Sequence, residues 1–120
     1  MAYHNELGEW GEEFAATYLL KLGYTILERK YTFQKAEIDI IAQKESDTLV
    51  VVEVKTRNSA VFGDPQSFVS KKKVQQLVKA ANHYIVSNNM DVEVRFDIIA
   101  ILKNKKEEQL DHIENAFYHF

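Results

Sequence analysis

The chain has 120 residues, 46% hydrophobic and 12% aromatic, enough apolar material for one buried core and not for two domains. It contains no cysteine, which excludes disulfides, thiolate metal sites and cysteine nucleophiles and leaves oxygen ligands and four histidines. A net charge of −3 argues against a uniformly basic nucleic-acid binder, yet residues 21–79 hold eleven basic against seven acidic residues, so the middle of the chain is locally positive.

The N-terminus lacks a charged-then-apolar signal pattern, and no apolar run approaches the roughly 18 residues of a membrane span. A cytoplasmic protein with no membrane partner is the expectation. The first helix is predicted from Asn5 or Glu6 to about Leu22, because Leu7, Trp10, Phe14, Tyr18 and Leu22 recur at helical spacing. Trp10 and Phe14 are expected in the core rather than against a base. Gly23 reads as a left-handed cap. Gly8 and Gly11 each cost a helix about 1 kcal/mol relative to Ala, which implies that another segment approaches closely there. Glu12 directly follows Gly11.

Three strands are predicted next. Tyr24 to about Tyr31 forms the first, and Glu37-Ile38-Asp39-Ile40-Ile41-Ala42 the second, with Ile38 and Ile40 on one face and Glu37 and Asp39 on the other. The third is the apolar run Thr48–Lys55, in which Glu53 and Lys55, two residues apart, share a face. Only Gln43–Asp47 separates the second and third strands, so an antiparallel hairpin can bring Asp39 beside Glu53. Two acids pressed together on largely buried strands raise one another's pKa unless a cation sits between them, and a divalent ion is the economical explanation. With oxygen ligands alone, that ion is Mg²⁺ or Mn²⁺.

After Lys55 an irregular loop marked by Gly63 and Pro65 leaves the strand and could close over a substrate. A second helix is predicted over Ser70–Ser87, capped by Ser70, with Val74, Leu77, Val78, Ala81 and Ile85 as its buried stripe. Its first turn, Lys71-Lys72-Lys73, carries the wrong sign for a helix N-terminus. Such a cluster suits phosphate oxygens, or is only a solvated helix end. Asp91–Leu102 alternates as a long fourth strand, in which Arg95 and Asp97 read as a structural ion pair, and a short fifth strand follows around Leu110–Ile113 before the tail Phe117–Phe120. The histidines His4, His83, His112 and His119 lack the paired spacing of a zinc site and read as surface or hydrogen-bonded.

The order helix, three strands, helix, strand, with an acid in the first helix, Asp on the second strand and Glu-x-Lys on the third, resembles the PD-(D/E)xK nuclease superfamily. More closely, Gly11-Glu12, Ala15, Tyr18-Leu19, Gly23-Tyr24, Glu37 to Ala42, Val52 to Arg57, Gly63, Arg95-Phe96-Asp97 and His112 to Phe117 resemble the YraN-like family of small bacterial proteins over essentially the whole chain. That family is similar in pattern to archaeal Holliday junction resolvases. The resemblance implies a restriction-endonuclease-like α/β core, order α-β-β-β-α-β-(β), with a central mixed sheet flanked by helices, as one nuclease-like domain. Two positions depart from the family pattern: Ala36 stands where a glycine is frequent, and Lys30 where an asparagine is.

Phosphodiester hydrolysis needs an activated water and stabilisation of charge on the phosphate and leaving oxygens. Asp39 and Glu53 would be metal ligands, with the Val54 carbonyl as a third. Glu12 would hold a second metal or a metal-bound water, and Lys55 would orient the attacking water or stabilise developing charge. Glu37, on the face of Asp39, would support a ligand rather than be one. Thr56, Arg57 and Lys71, Lys72 and Lys73 would contact backbone phosphates. The partner would be nucleic acid, DNA in the first instance, with oligomeric state open and a homodimer admitted. Two function classes follow: a metal-dependent endonuclease acting on branched or structured DNA, or a nucleic-acid-binding protein that keeps the fold and turns over little. A protein-interaction module with a vestigial site is a third, weaker reading.

Overall fold

The structure, a computed structural model, describes residues 2–59 and 69–117, with side chains from residue 6 onward. Two helices and five strands follow the predicted order: α1 (Ala2–Lys21), β1 (Thr25–Phe33), β2 (Ala36–Gln43), β3 (Thr48–Arg57), α2 (Lys71–Ser87), β4 (Glu93–Lys103) and β5 (Glu108–Ile113). The strands form one mixed sheet in chain order, antiparallel except for the parallel pair β3 and β4, which α2 connects. A parallel pair needs a crossover, and α2 is that crossover. Gly63 and Pro65 lie outside the described residues, as do Tyr118, His119 and Phe120; the side chain of His4 does too.

Alternate residues of β3 feed two cores. Val50 and Val52 pack with Ala15, Ala16 and Leu19 of α1, and Leu49 and Val51 pack with Leu77, Ala80, Ala81 and Tyr84 of α2. The helices therefore cover opposite faces of the sheet. On α1 the buried line is set by Ala15, Ala16 and Leu19, while Trp10, Phe14 and Tyr18 pack around it half-buried. Trp10 and Phe14 stack at 4.8 Å and belong to this core, as expected. Leu22 is a correction: it is 48% exposed, because the helix ends at Lys21 and turns away. Gly23 adopts φ +93°, its N–H donates to the Leu20 carbonyl, and the Tyr24 N–H donates to the Leu19 carbonyl. That is a Schellman cap, sealed by Leu19 and Tyr24 in one core.

The hairpin that carries Asp39 is less regular than alternation predicts. Ile40 joins the α1 core, but Ile38 and Ala36 join the α2 core, so Ile38 and Ile40 do not act as one apolar face. β1 contains a register shift between Ile26 and Glu28, and Lys30 sits within the strand at φ +53°. A left-handed position suits Asn better than Lys, in keeping with the asparagine that the family resemblance leads one to expect there. Ala36 is buried with an ordinary φ, so its methyl group fills core space without strain.

Candidate metal and nucleic-acid site

The β2–β3 ladder pairs Ile40 with Val52 and then ends, leaving Asp39 and Glu53 opposite one another at the next step. Beyond that point the Val54 N–H has no strand partner in β2, and it donates instead to Asp39 Oδ2 at 2.8 Å. The backbone of Val54 thus fixes the Asp39 carboxylate through its N–H. Glu53 is 6% exposed. Its Oε2 forms an ion pair with Lys73 Nζ, while its Oε1 is shut off from water with no hydrogen-bond partner.

Burial, then the Glu53 charge and a hydrogen bond to Glu53, push the Asp39 carboxyl up to about 7. A proton on Asp39 gives Glu53 a second donor beside Lys73. The linkage has a definite sign: the unfolded carboxyl titrates near 3.8, so between pH 4 and 7 the folded state holds a proton the unfolded state releases. Stability should fall as pH rises through that window, by at most about 1.4 kcal/mol per pH unit, and the slope should vanish above about 7. Denaturant titrations of the metal-free protein and of Asp39→Asn across pH 4–8 check this. A variant that keeps the parent's slope would assign it to another group.

Lys55 follows on the face of Glu53, and burial with the repulsion of Arg57 and Lys73 lowers its pKa against the pull of Glu53 and Asp39. It lines a cleft of about 430 Å³ together with Glu12, Lys30, Val54, Thr56 and Arg57. Glu12, 8% exposed, is tied down there by Lys30 Nζ at 3.1 Å and by Arg29 at 3.7 Å. It does not join Asp39 and Glu53: among the described residues, no three acid or histidine side chains are placed to hold one metal ion. The close approach expected at the two helix glycines is found at Gly11 and not at Gly8. A Cβ at Gly11 would fall inside the Thr56 side chain, whereas one at Gly8 would meet open space. Gly11 lets α1 settle onto β3, and Thr56 is committed to that contact as well as to the cleft wall.

On the other side of the carboxylate pair lies a cleft of about 330 Å³ lined by Lys35, Glu37, Asp39, Lys73 and Gln76. Glu37 is exposed on its wall. Ser70 caps α2 as predicted, accepting from the Lys73 N–H at 3.1 Å. Lys71 and Lys72 are exposed on the first turn, but Lys73 reaches back to Glu53. One of the three lysines of that turn, Lys73, therefore has an internal reason that the sequence did not disclose.

A buried polar network missed by sequence reasoning surrounds Asp97, which has no exposure. Arg95 donates to both of its oxygens at 2.9 and 2.8 Å, the Asn115 N–H donates at 3.0 Å, and His112 Nε2 donates at 2.7 Å. His112 Nδ1 then accepts from the Tyr18 hydroxyl at 3.0 Å, and Arg95 also donates to the Tyr24 hydroxyl at 2.6 Å. Burial alone pushes the Asp97 carboxyl up, but the bonds from His112, Arg95 and Asn115 outweigh it and hold the carboxyl below its ordinary range. The expected Arg95–Asp97 pair is the centre of this network, and its signal in sequence was a histidine on the last strand.

No helix among the described residues is long and apolar enough to cross a membrane. The model of the uncharacterised protein family UPF0102 matches residues 11–101. The chain is 60% identical over 120 residues to a UPF0102 protein of Flavobacterium psychrophilum and 58% identical over 120 residues to one of Christiangramia forsetii, covering 100% of both chains in each case. A UPF0102 protein of Phocaeicola vulgatus is 42% identical over 118 residues, covering 98% of this chain and 97% of that one. The matched span takes in Gly11, Glu12, the Asp39–Glu53 pair, Lys55 and Asp97, and on it the chain belongs to the UPF0102 family, the YraN-like group.

Proposed function

We propose that this protein is a nucleic-acid-binding, divalent-metal-dependent endonuclease that hydrolyses phosphodiester bonds in branched or otherwise structured DNA. The observation that supports it is the carboxylate pair: Asp39 and Glu53 face one another across the end of the β2–β3 ladder, Glu53 is 6% exposed with its Oε1 unpartnered, and burial and the Glu53 charge push Asp39 up to about 7. Two desolvated acids held in this way are costly for a surface with only a structural role. Their hard oxygen donors fit Mg²⁺ or Mn²⁺, which is commonly held by one or two carboxylates with water and phosphate completing the shell. When bound, such an ion supplies the charge that lets both acids ionise together and that stabilises negative charge on a phosphate.

The rest falls to the chain's own residues. The Val54 N–H holds Asp39 in orientation, and Lys55, in the adjoining cleft, is placed to position water and to meet charge developing on the phosphate. Thr56 and Arg57 line the same cleft and would face the backbone phosphates. Lys73 neutralises Glu53 before a metal arrives and must move aside for one. Glu12, paired with Lys30, would join only if that ion pair opens.

The last two points favour a second reading, a nucleic-acid-binding protein with little turnover, in which Lys73 is the permanent counterion. A metal titration decides between them. Millimolar Mn²⁺ at pH 8 should raise the melting temperature, since a ligand at 100 times its Kd adds about 2.7 kcal/mol to the native state. Asp39→Asn should abolish most of the rise. Binding to branched, duplex and single-stranded DNA in Ca²⁺, followed by Mn²⁺ addition, then tests turnover. A melting temperature indifferent to Mn²⁺ would reject the metal-dependent reading.

A further inference from the structure

The cleft on the α2 side of the carboxylate pair does not stop at Gln76. A second cleft, of about 510 Å³, shares Lys35, Ala36 and Gln76 with it and continues to Lys79 of α2 and to Phe33 and Gln34 at the tip of the β1–β2 hairpin. The two make one trough along the edge of α2. Lys73, Gln76, Lys79 and His83 follow that edge at spacings of three and four residues, about 15 Å at the rise of a helix. Lys35, exposed across the trough, adds a third ammonium group to those of Lys73 and Lys79. The acids lining it, Glu37 and Asp39, lie at the carboxylate end.

The far end is aromatic and held in place. Phe33 stacks on His83 at 4.0 Å and 20°, His83 Nδ1 lies 2.7 Å from the Tyr31 hydroxyl, and Tyr31 meets Tyr84 edge-on at 5.2 Å. A ring fixed by its neighbours, at the end of a row of cations, is the combination that binds unpaired bases: ammonium groups track the phosphates and the ring takes a base face. A base inside a duplex has both faces covered by its neighbours and cannot offer one to Phe33.

We propose that this trough holds an unpaired DNA strand leading into the Asp39–Glu53 pair, with Lys35 and Lys79 on its phosphates and Phe33 stacked on a base. The inference rests on the endonuclease reading and gives its substrate a form: a duplex or branch with a single-stranded arm. Fluorescence anisotropy in Ca²⁺ with labelled oligothymidine and a blunt duplex tests it. Phe33→Leu should weaken oligothymidine binding about 5- to 100-fold and leave the blunt duplex unchanged, while Phe33→Trp, which keeps a stacking ring, should retain the parent affinity. Lys35→Gln with Lys79→Gln should flatten the slope of log affinity against log salt by up to about 1.4, at about 0.7 per phosphate contact on a single strand, and Lys44→Gln, exposed on the β2–β3 turn at the opposite end of the sheet, should not. If the parent binds DNA and cleaves it in Mn²⁺ while the Phe33 and lysine variants match it on both probes, the trough is a solvated surface and the endonuclease reading stands. If the parent binds no DNA of any form, that reading fails and this inference fails with it.

Discussion

Lys55→Ala is expected to reduce Mn²⁺-dependent DNA cleavage by on the order of 10² to 10⁴-fold, the range for removing one positioned proton-transfer or charge-stabilising group. Binding of DNA held in Ca²⁺ should change by no more than about threefold, because the proposed contribution of Lys55 arises in the transition state and not in the ground state. Its surroundings support that division. Lys55 is partly desolvated, and the neighbouring Arg57 and Lys73 charges oppose its own, so it holds its proton less tightly than an ordinary lysine. A cation in that condition responds strongly to new negative charge. Single-turnover cleavage and anisotropy on the same samples make the measurement. Equal losses in both would turn Lys55 into a phosphate contact, and unchanged cleavage would remove it from the site.

The parts of this arrangement that depend on local pattern were legible in the sequence. The short connection between two apolar runs gave the hairpin, and its register placed Asp39 against Glu53. Ser70 gave the α2 cap and Gly23 the end of α1, because each is decided by the chemistry of one residue and its neighbours. What could not be read depends on how distant segments pack. Lys73 meets Glu53 only because the crossover lays the first turn of α2 over the end of β3. Glu12 is diverted to Lys30 because β1 kinks at a left-handed position that periodicity cannot reveal. The close approach implied by Gly11 was correct, but its partner, Thr56, is 45 positions away and is set by the way α1 crosses the sheet. Ile38 and Ile40, predicted to share a face, went to different cores for a related reason: the hairpin leaves the β3 ladder just where the site begins.

Asp97→Asn is expected to cost about 3 to 5 kcal/mol of folding stability, the usual consequence of breaking a buried ion pair by removing one partner. The amide can accept on one side only, so its NH₂ must face the Arg95 guanidinium together with either the Asn115 N–H or His112 Nε2, at a position with no access to water. Because this network joins β4 and β5 to Tyr18 of α1 and to Tyr24 at the helix cap, the loss is felt across the α1 face and not at one strand. For a chain of this size the melting temperature should drop by roughly 10 to 20 °C. The pH dependence separates the charge from the packing. Asp97 is held below its ordinary range in the folded state, so its contribution is complete above the unfolded value near 3.8 and is lost as pH falls below it. The parent should therefore lose stability steeply in acid, and Asp97→Asn, already without the charge, should show a shallower acid limb. Guanidinium denaturation at pH 7 and at several values below 4 supplies both readouts. A variant within about 1 kcal/mol of the parent at pH 7 would mean that the His112–Asp97–Arg95 network contributes little net energy, as is found where ion pairs only offset their own desolvation.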